Sequence, residues 1–274
     1  SSTRSDPDLP YWQDYLPLIR QLAGSVCPAC DQLNALLPPG LNSHAGHPIQ
    51  FVASDQLDDQ AYELRIFDSG RVSTRPGCWH DLFNALVWMR FPAIKSAMNA
   101  CHYRAWSQQT DDGRGPIRDA LTLFDECGTI VLSRQRSLLE AIAQRRWPDV
   151  FQRPGFHDQA DVMIVGHAML EKFLSPYKAM TAKVLLVHDD TKDSVPERSA
   201  MLKHLDQVIA RGILQQKLLN HPACLAPLPL AGIPGWWPRE QQASEAFYAD
   251  SAVFRPPPTQ LAPAPVFSLK ELFA

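Results

Sequence analysis

The stretch T-R-P-G-C-W-H-D-L-F-N-A-L-V-W-M-R-F-P-A-I-K-S-A-M-N-A-C-H (74–102) decides the reading of this chain. Leu82, Phe83, Ala85, Leu86, Val87, Trp88, Met89 and Phe91 cover the whole circumference of a helix, and such a helix is buried. Pro92 punctuates the run: it disfavours helix at Phe91 and suits the first turn of a new helix. Polar residues sit inside these apolar turns. His80 and Asn84 share one face, and Lys95, Asn99 and His102 share another. A third set, His167 and Glu171 in V-G-H-A-M-L-E-K (165–172), is also one turn apart. Each buried polar group costs roughly 1–3 kcal/mol unless paired. The three sets are therefore expected to meet one another or a ligand.

Working outward, 11–23 and 31–37 read as short helices and I-Q-F-V-A (49–53) as a strand. Y-E-L-R-I-F (62–67), D-S-G and R-V-S-T-R (71–75) read as a β-hairpin. L-T-L-F-D-E-C-G-T-I-V-L-S (121–133) reads as a second hairpin turning near Glu126 to Gly128, with Asp125 and Glu126 in the turn. Helices are expected over 137–151, 161–174 and 196–219, and a strand over 183–188. Gly166 beside His167 is read as allowing close approach of another backbone. P-L-P-L-A-G-I-P-G-W-W-P (227–238) reads as apolar irregular structure over the core, and 266–273 as a short terminal helix. The expectation is an α+β fold, predominantly helical with a small, mostly antiparallel sheet. It comprises a loose N-terminus (1–10), one domain (11–255) and a Pro-rich C-terminal extension (256–274).

With 274 residues, 45% hydrophobic and 20% charged, the composition is that of an ordinary soluble protein. The net charge of −3 and the scattered arginines (Arg134, Arg136, Arg145, Arg146) argue against a nucleic-acid partner. No apolar run approaches the roughly 20 residues of a membrane span, and no secretory signal is visible. Six cysteines are present, and only Cys27 and Cys30, in C-P-A-C, are close. No second pair completes a zinc ribbon, so the thiols read as packing residues of a reduced, cytoplasmic protein.

His80, Asp81, His102, Asp119, His167 and Glu171 are the candidate catalytic residues, and His80, His102 and His167 the candidate ligands of a divalent transition metal. Arg75, Asn84, Lys95 and Asn99 are the candidates for holding a small anionic substrate. These point to an intracellular metal-assisted hydrolase. The alternative is a non-catalytic protein whose polar sets only fix the fold, with 227–238 and the tail contacting a protein partner.

The stretch at 74–102, together with R-D-A-L-T-L-F-D-E (118–126), G-H-A-M-L-E-K (166–172), P-L-P-L-A-G-I-P-G-W (227–236) and F-Y-A-D-S-A-V-F-R-P (247–256), resembles an uncharacterised bacterial family, domain of unknown function 3025. The resemblance implies a bacterial protein and brings no activity, cofactor or catalytic residue with it.

Overall fold

A computed structural model describes residues 9–22, 28–108, 115–152, 155–191, 197–257 and 262–273. The expected loose N-terminus (save its last two residues), Cys27 of the C-P-A-C pair and the middle of the Pro-rich stretch lie outside the described residues.

In chain order the elements are α1 (Leu16–Gln21), α2 (Cys30–Asn34), β1 (Gln50–Ala53), α3 (Tyr62–Ser69), β2 (Arg71–Thr74), α4 (Trp79–Arg90), α5 (Pro92–Ser107) and α6 (Pro116–Cys127). They continue with β3 (Gly128–Ser133), α7 (Arg136–Ala143), α8 (Trp147–Phe151), α9 (Phe156–Gln159), β4 (Asp161–Ile164), α10 (His167–Lys172) and β5 (Thr181–His188). The last are α11 (Arg198–Leu214), β6 (Ala226–Pro229), α12 (Arg239–Gln242), α13 (Glu245–Tyr248), β7 (Val266–Ser268) and α14 (Leu269–Phe273). The α+β class and the helical majority hold.

The described chain divides into two compact units. One takes residues within Ser1–Gln13, Leu123–Asp193 and Pro222–Ala274, the other those within Asp14–Thr122 and Ser194–His221, and the division falls inside α6. The sheets are mixed rather than mostly antiparallel. β3 pairs with β4 and β5 with β6 in antiparallel fashion, but β1–β2, β3–β5 and β5–β7 are parallel.

The unit holding the sequence-deciding stretch is built on α5. Helices α3, α4 and α11 pack against it. Met98, Ala97, Cys101 and Ile94 of α5 are buried, as are Leu202, Leu205, Ile209 and Ile213 of α11. The expected first hairpin is replaced by β1–α3–β2, in which α3 carries the chain over so that the two strands run parallel. The D-S-G sequence suits a hairpin turn and a helix C-terminus alike. Here Gly70 terminates α3 with φ 72°, and its N–H bonds the Ile66 carbonyl. A Cβ on Gly70 would stand 2.1 Å from the Pro48 carbonyl oxygen, so only glycine fits. The N-terminus of α5 lacks a side-chain cap of its own. Asp206 of α11 supplies one, accepting hydrogen bonds from Ala93 N (3.0 Å) and Ile94 N (2.9 Å).

The other unit is built on the sheet β4–β3–β5, with β6 beside the first half of β5 and β7 beside its second half. Helix α7 packs on β3, β5, β6 and β7 through Leu138, Leu139, Ala141 and Ile142. The second expected hairpin is also absent: 116–127 is helix and only 128–133 is strand. Likewise the expected helix over 161–174 is β4 followed by the short α10, and 137–151 is two helices, α7 and α8. Residues 226–229 form a strand, and Leu228, Leu230, Ile233 and Trp236 are buried. Trp236 packs edge-on to Tyr11 and Phe173, which stack at 4.0 Å. Leu228, Leu230, Ile233 and Trp236 thus pack within their unit, while Trp237 is half-buried and Pro238 exposed. The chain end is likewise tied down: Asp190 accepts bonds from the Ser268 hydroxyl and the Lys270 N–H.

Candidate functional site

Three of the expected polar residues on α4 and α5, Asn84, Lys95 and Asn99, bond one another or α3. Asn84 donates to the Tyr62 hydroxyl (2.8 Å) and accepts from Lys95 Nζ (2.8 Å). Lys95, only 4% exposed, also lies over the Trp88 ring at 5.5 Å. Asn99 donates to the Glu63 carbonyl (2.8 Å) and to its carboxylate Oε2 (2.6 Å). Arg75 grips Asp81 through Nε (2.9 Å) and Nη2 (2.7 Å), while its backbone N–H donates to the same carboxylate (2.7 Å). Burial would raise the Asp81 pKa, but the Arg75 bonds and the Cys78 thiol outweigh it and hold the carboxyl below its usual range. His102 is buried, His80 is half-buried at the start of α4, and Asp119 is exposed in the first turn of α6. Burial lifts the Asp206 pKa to about 6 against the pull of two backbone amides and of Arg90.

In the sheet unit, His167 opens α10 and is buried. Gly166 puts it there. Both Val165 N and Gly166 N donate to the Gly128 carbonyl, at 2.9 and 2.8 Å. A Cβ on Gly166 would lie 2.5 Å from Gly128 N and 2.6 Å from Cys127 N and Glu126 O, so the close backbone approach read from the sequence is real. It sets the imidazole against the last turn of α6. His167 Nδ1 lies 3.6 Å from Asp125 Oδ2, and Nε2 lies 3.8 Å from Glu126 Oε1. Glu171 follows one turn later, half-buried. Lys172 Nζ is 3.9 Å from Cys127 Sγ.

Sequence reading assigned Asp125 and Glu126 to a turn, and Tyr62 and Glu63 to a strand. All four lie on helices and bond or face the expected residues. A signal for the first pair was present: Pro116 suits a first helical turn, and Ile117, Ala120, Leu121 and Phe124 recur at helical spacing.

The model for the family described as protein of unknown function (DUF3025) matches residues 49–257. The chain belongs to this family. The match spans α4, α5, the α6–α10 junction and β6, so the stretches quoted from the sequence fall within the DUF3025 region or at its edge. No curated protein and no solved structure matches the chain. Among the described residues of this DUF3025 protein, no helix is long and apolar enough to cross a membrane.

Proposed function

We propose that this protein is a metal-assisted hydrolase and that His167 Nε2 and Glu126 bind its divalent transition-metal ion. One observation carries the reading: the 3.8 Å between His167 Nε2 and Glu126 Oε1. It is too long for a hydrogen bond. It is a separation that two bonds of ~2.1 Å to one cation span. Imidazole and carboxylate are a donor set suited to zinc, iron or manganese. Water, substrate and further protein donors fill the remaining positions. A cation there would lower the pKa of a bound water towards ~7 and attract an anionic group of the substrate. Glu126, 41% exposed in its side chain, is the solvent-facing carboxylate of the pair flanking the ring. It is placed to accept a proton from an attacking water as well as to hold the ion.

Elemental analysis of purified protein, with titration of Mn²⁺, Co²⁺ and Zn²⁺ into chelator-treated samples, tests this. Near-stoichiometric binding that weakens at least tenfold in His167→Ala and Glu126→Gln is expected. Binding that those substitutions leave unchanged, or no binding, ends the proposal.

For the residues on α3, α4 and α5 a structural role is the second reading. The Tyr62–Asn84–Lys95 chain and the Glu63–Asn99 pair support it, because buried polar groups bonded in this way fix helix register. Thermal melts of Asn84→Ala and Asn99→Ala separate it from a substrate-binding role, in which stability would hardly change.

A further inference from the structure

We infer that the edge of β5 from Leu186 to His188 is a peptide-docking site, and that the C-terminal segment V-F-S-L-K-E-L-F (266–273) is its exchangeable ligand, held in cis. The site lies within the sheet unit and is independent of the metal reading. Its outline comes from the pairing of β5. On one side β3 pairs with Lys183 to His188. On the other, β6 reaches only from Thr181 to Val184, and β7 takes Leu186 to His188. A three-residue parallel strand therefore stands where the edge would otherwise offer unpaired N–H and C=O groups. Adding a strand to such an edge is a general mode of peptide recognition. Leu269 and Leu272, three apart on α14, are 4% and 2% exposed and are the apolar anchors of the segment. Asp190, two residues beyond β5, reads its polar groups. It accepts from the Ser268 hydroxyl at 2.6 Å and from Lys270 N at 3.1 Å, and Ser268 Oγ in turn accepts from Glu271 N at 3.2 Å.

The segment is separable from the rest of the sheet. The DUF3025 region ends at residue 257, so the edge lies inside it and the segment beyond it. The chain ahead of the segment has its own anchorage: the Arg255 carbonyl accepts from Trp147 Nε1 (2.7 Å), and the Pro256 carbonyl from Arg145 Nη1 (3.2 Å). Of the ten residues 256–265, five are proline and have no N–H to give to a ladder. The segment is thus held by its own contacts, to β5, Asp190 and α7. Those contacts break and re-form as a group without disturbing the β3–β5 or β5–β6 ladders, as local opening of a small unit requires. Tethering keeps the docked form dominant, because a short connection presents the segment at an effective concentration on the order of 1 mM.

The test adds a fluorescein-labelled peptide of residues 262–274 to the full chain carrying Leu269→Asp and Leu272→Asp, since a carboxylate at either buried position opposes docking of the chain's own segment. The peptide is expected to bind this variant at least tenfold more tightly than wild type, where the tethered segment competes. Adding Asp190→Ala to the variant is expected to weaken the peptide at least tenfold, because two bonds to a carboxylate are lost. A folded variant that binds the peptide no better than wild type, or equally well without Asp190, overturns the inference. Should the double variant not fold, hydrogen exchange of wild type decides. The amides of 267–271 are expected to exchange at least tenfold faster than those of β3, and faster again in Asp190→Ala with β3 unchanged. Segment amides as slow as those of β3, or indifferent to Asp190, overturn it.

Discussion

Asp206→Asn probes a carboxylate whose ionised form burial disfavours. Asp206 caps α5 from α11, accepting the N–H groups of Ala93 and Ile94. Two effects oppose each other. Burial penalises the ionised form, while the two amides and Arg90 favour it, and burial wins: the pKa rises from 3.8 to about 6. That difference of about two units corresponds to ~3 kcal/mol. Because the folded-state value lies above the unfolded one, the folded protein holds a proton that the unfolded chain has released between pH 3.8 and about 6. The associated stability is complete below pH 3.8 and is lost as pH rises through about 6. Asparagine does not titrate. Urea denaturation of wild type and Asp206→Asn from pH 4 to 7.5 should show the wild-type stability, relative to the variant, falling by ~3 kcal/mol across that range. A constant offset of ~1–2 kcal/mol is expected on top, since a carboxamide accepts from one amide and opposes the other. A pH-independent difference, or one that grows with pH, would refute the reasoning by showing that the helix-capping bonds outweigh desolvation.

Arg75→Ala should remove a pH dependence of the opposite sense. The Asp81 carboxyl is held below its usual range, so its contribution is present above pH 3.8 and lost as pH falls through the lower folded value; the wild-type advantage over the variant in urea melts should therefore shrink on acidification. Asn84→Ala removes the bond to the buried Lys95 ammonium and should cost ~2 kcal/mol by denaturant melts, with a smaller loss in Asn84→Asp. Gly166→Ala drives a methyl to 2.5 Å from Gly128 N and should cost ~1–3 kcal/mol, while metal titration shows weakened binding because His167 is displaced from α6.

Long periodic elements were legible, and short ones were not. Helices α4, α5 and α11 each run for three turns or more, and their buried faces repeat often enough to be unambiguous. The break at Pro92 was equally clear. In contrast, six apolar-rich residues such as Y-E-L-R-I-F satisfy a strand and a helix almost equally. Arg65 and Ile66 are both buried, which a two-residue alternation does not allow on one face of a strand but adjacent helical positions do. For the site, the histidines were visible as polar intrusions in apolar helices. Their partners were not. Glu63, Asp125, Glu126 and Asp206 are ordinary acidic residues in sequence, and only contacts made across the fold distinguish them.

The sequence by itself determined which residues had to be buried, that polar groups would be buried among them, and where the chain must break, because side-chain volume, polarity and the backbone limits of Pro and Gly are properties of each residue. The tertiary structure alone decided strand direction, which acid faces which amide, and that His167 stands between Asp125 and Glu126. These are distances between residues far apart in the chain or joined by a clamp such as Gly128 to Gly166, and no local preference encodes a distance of that kind.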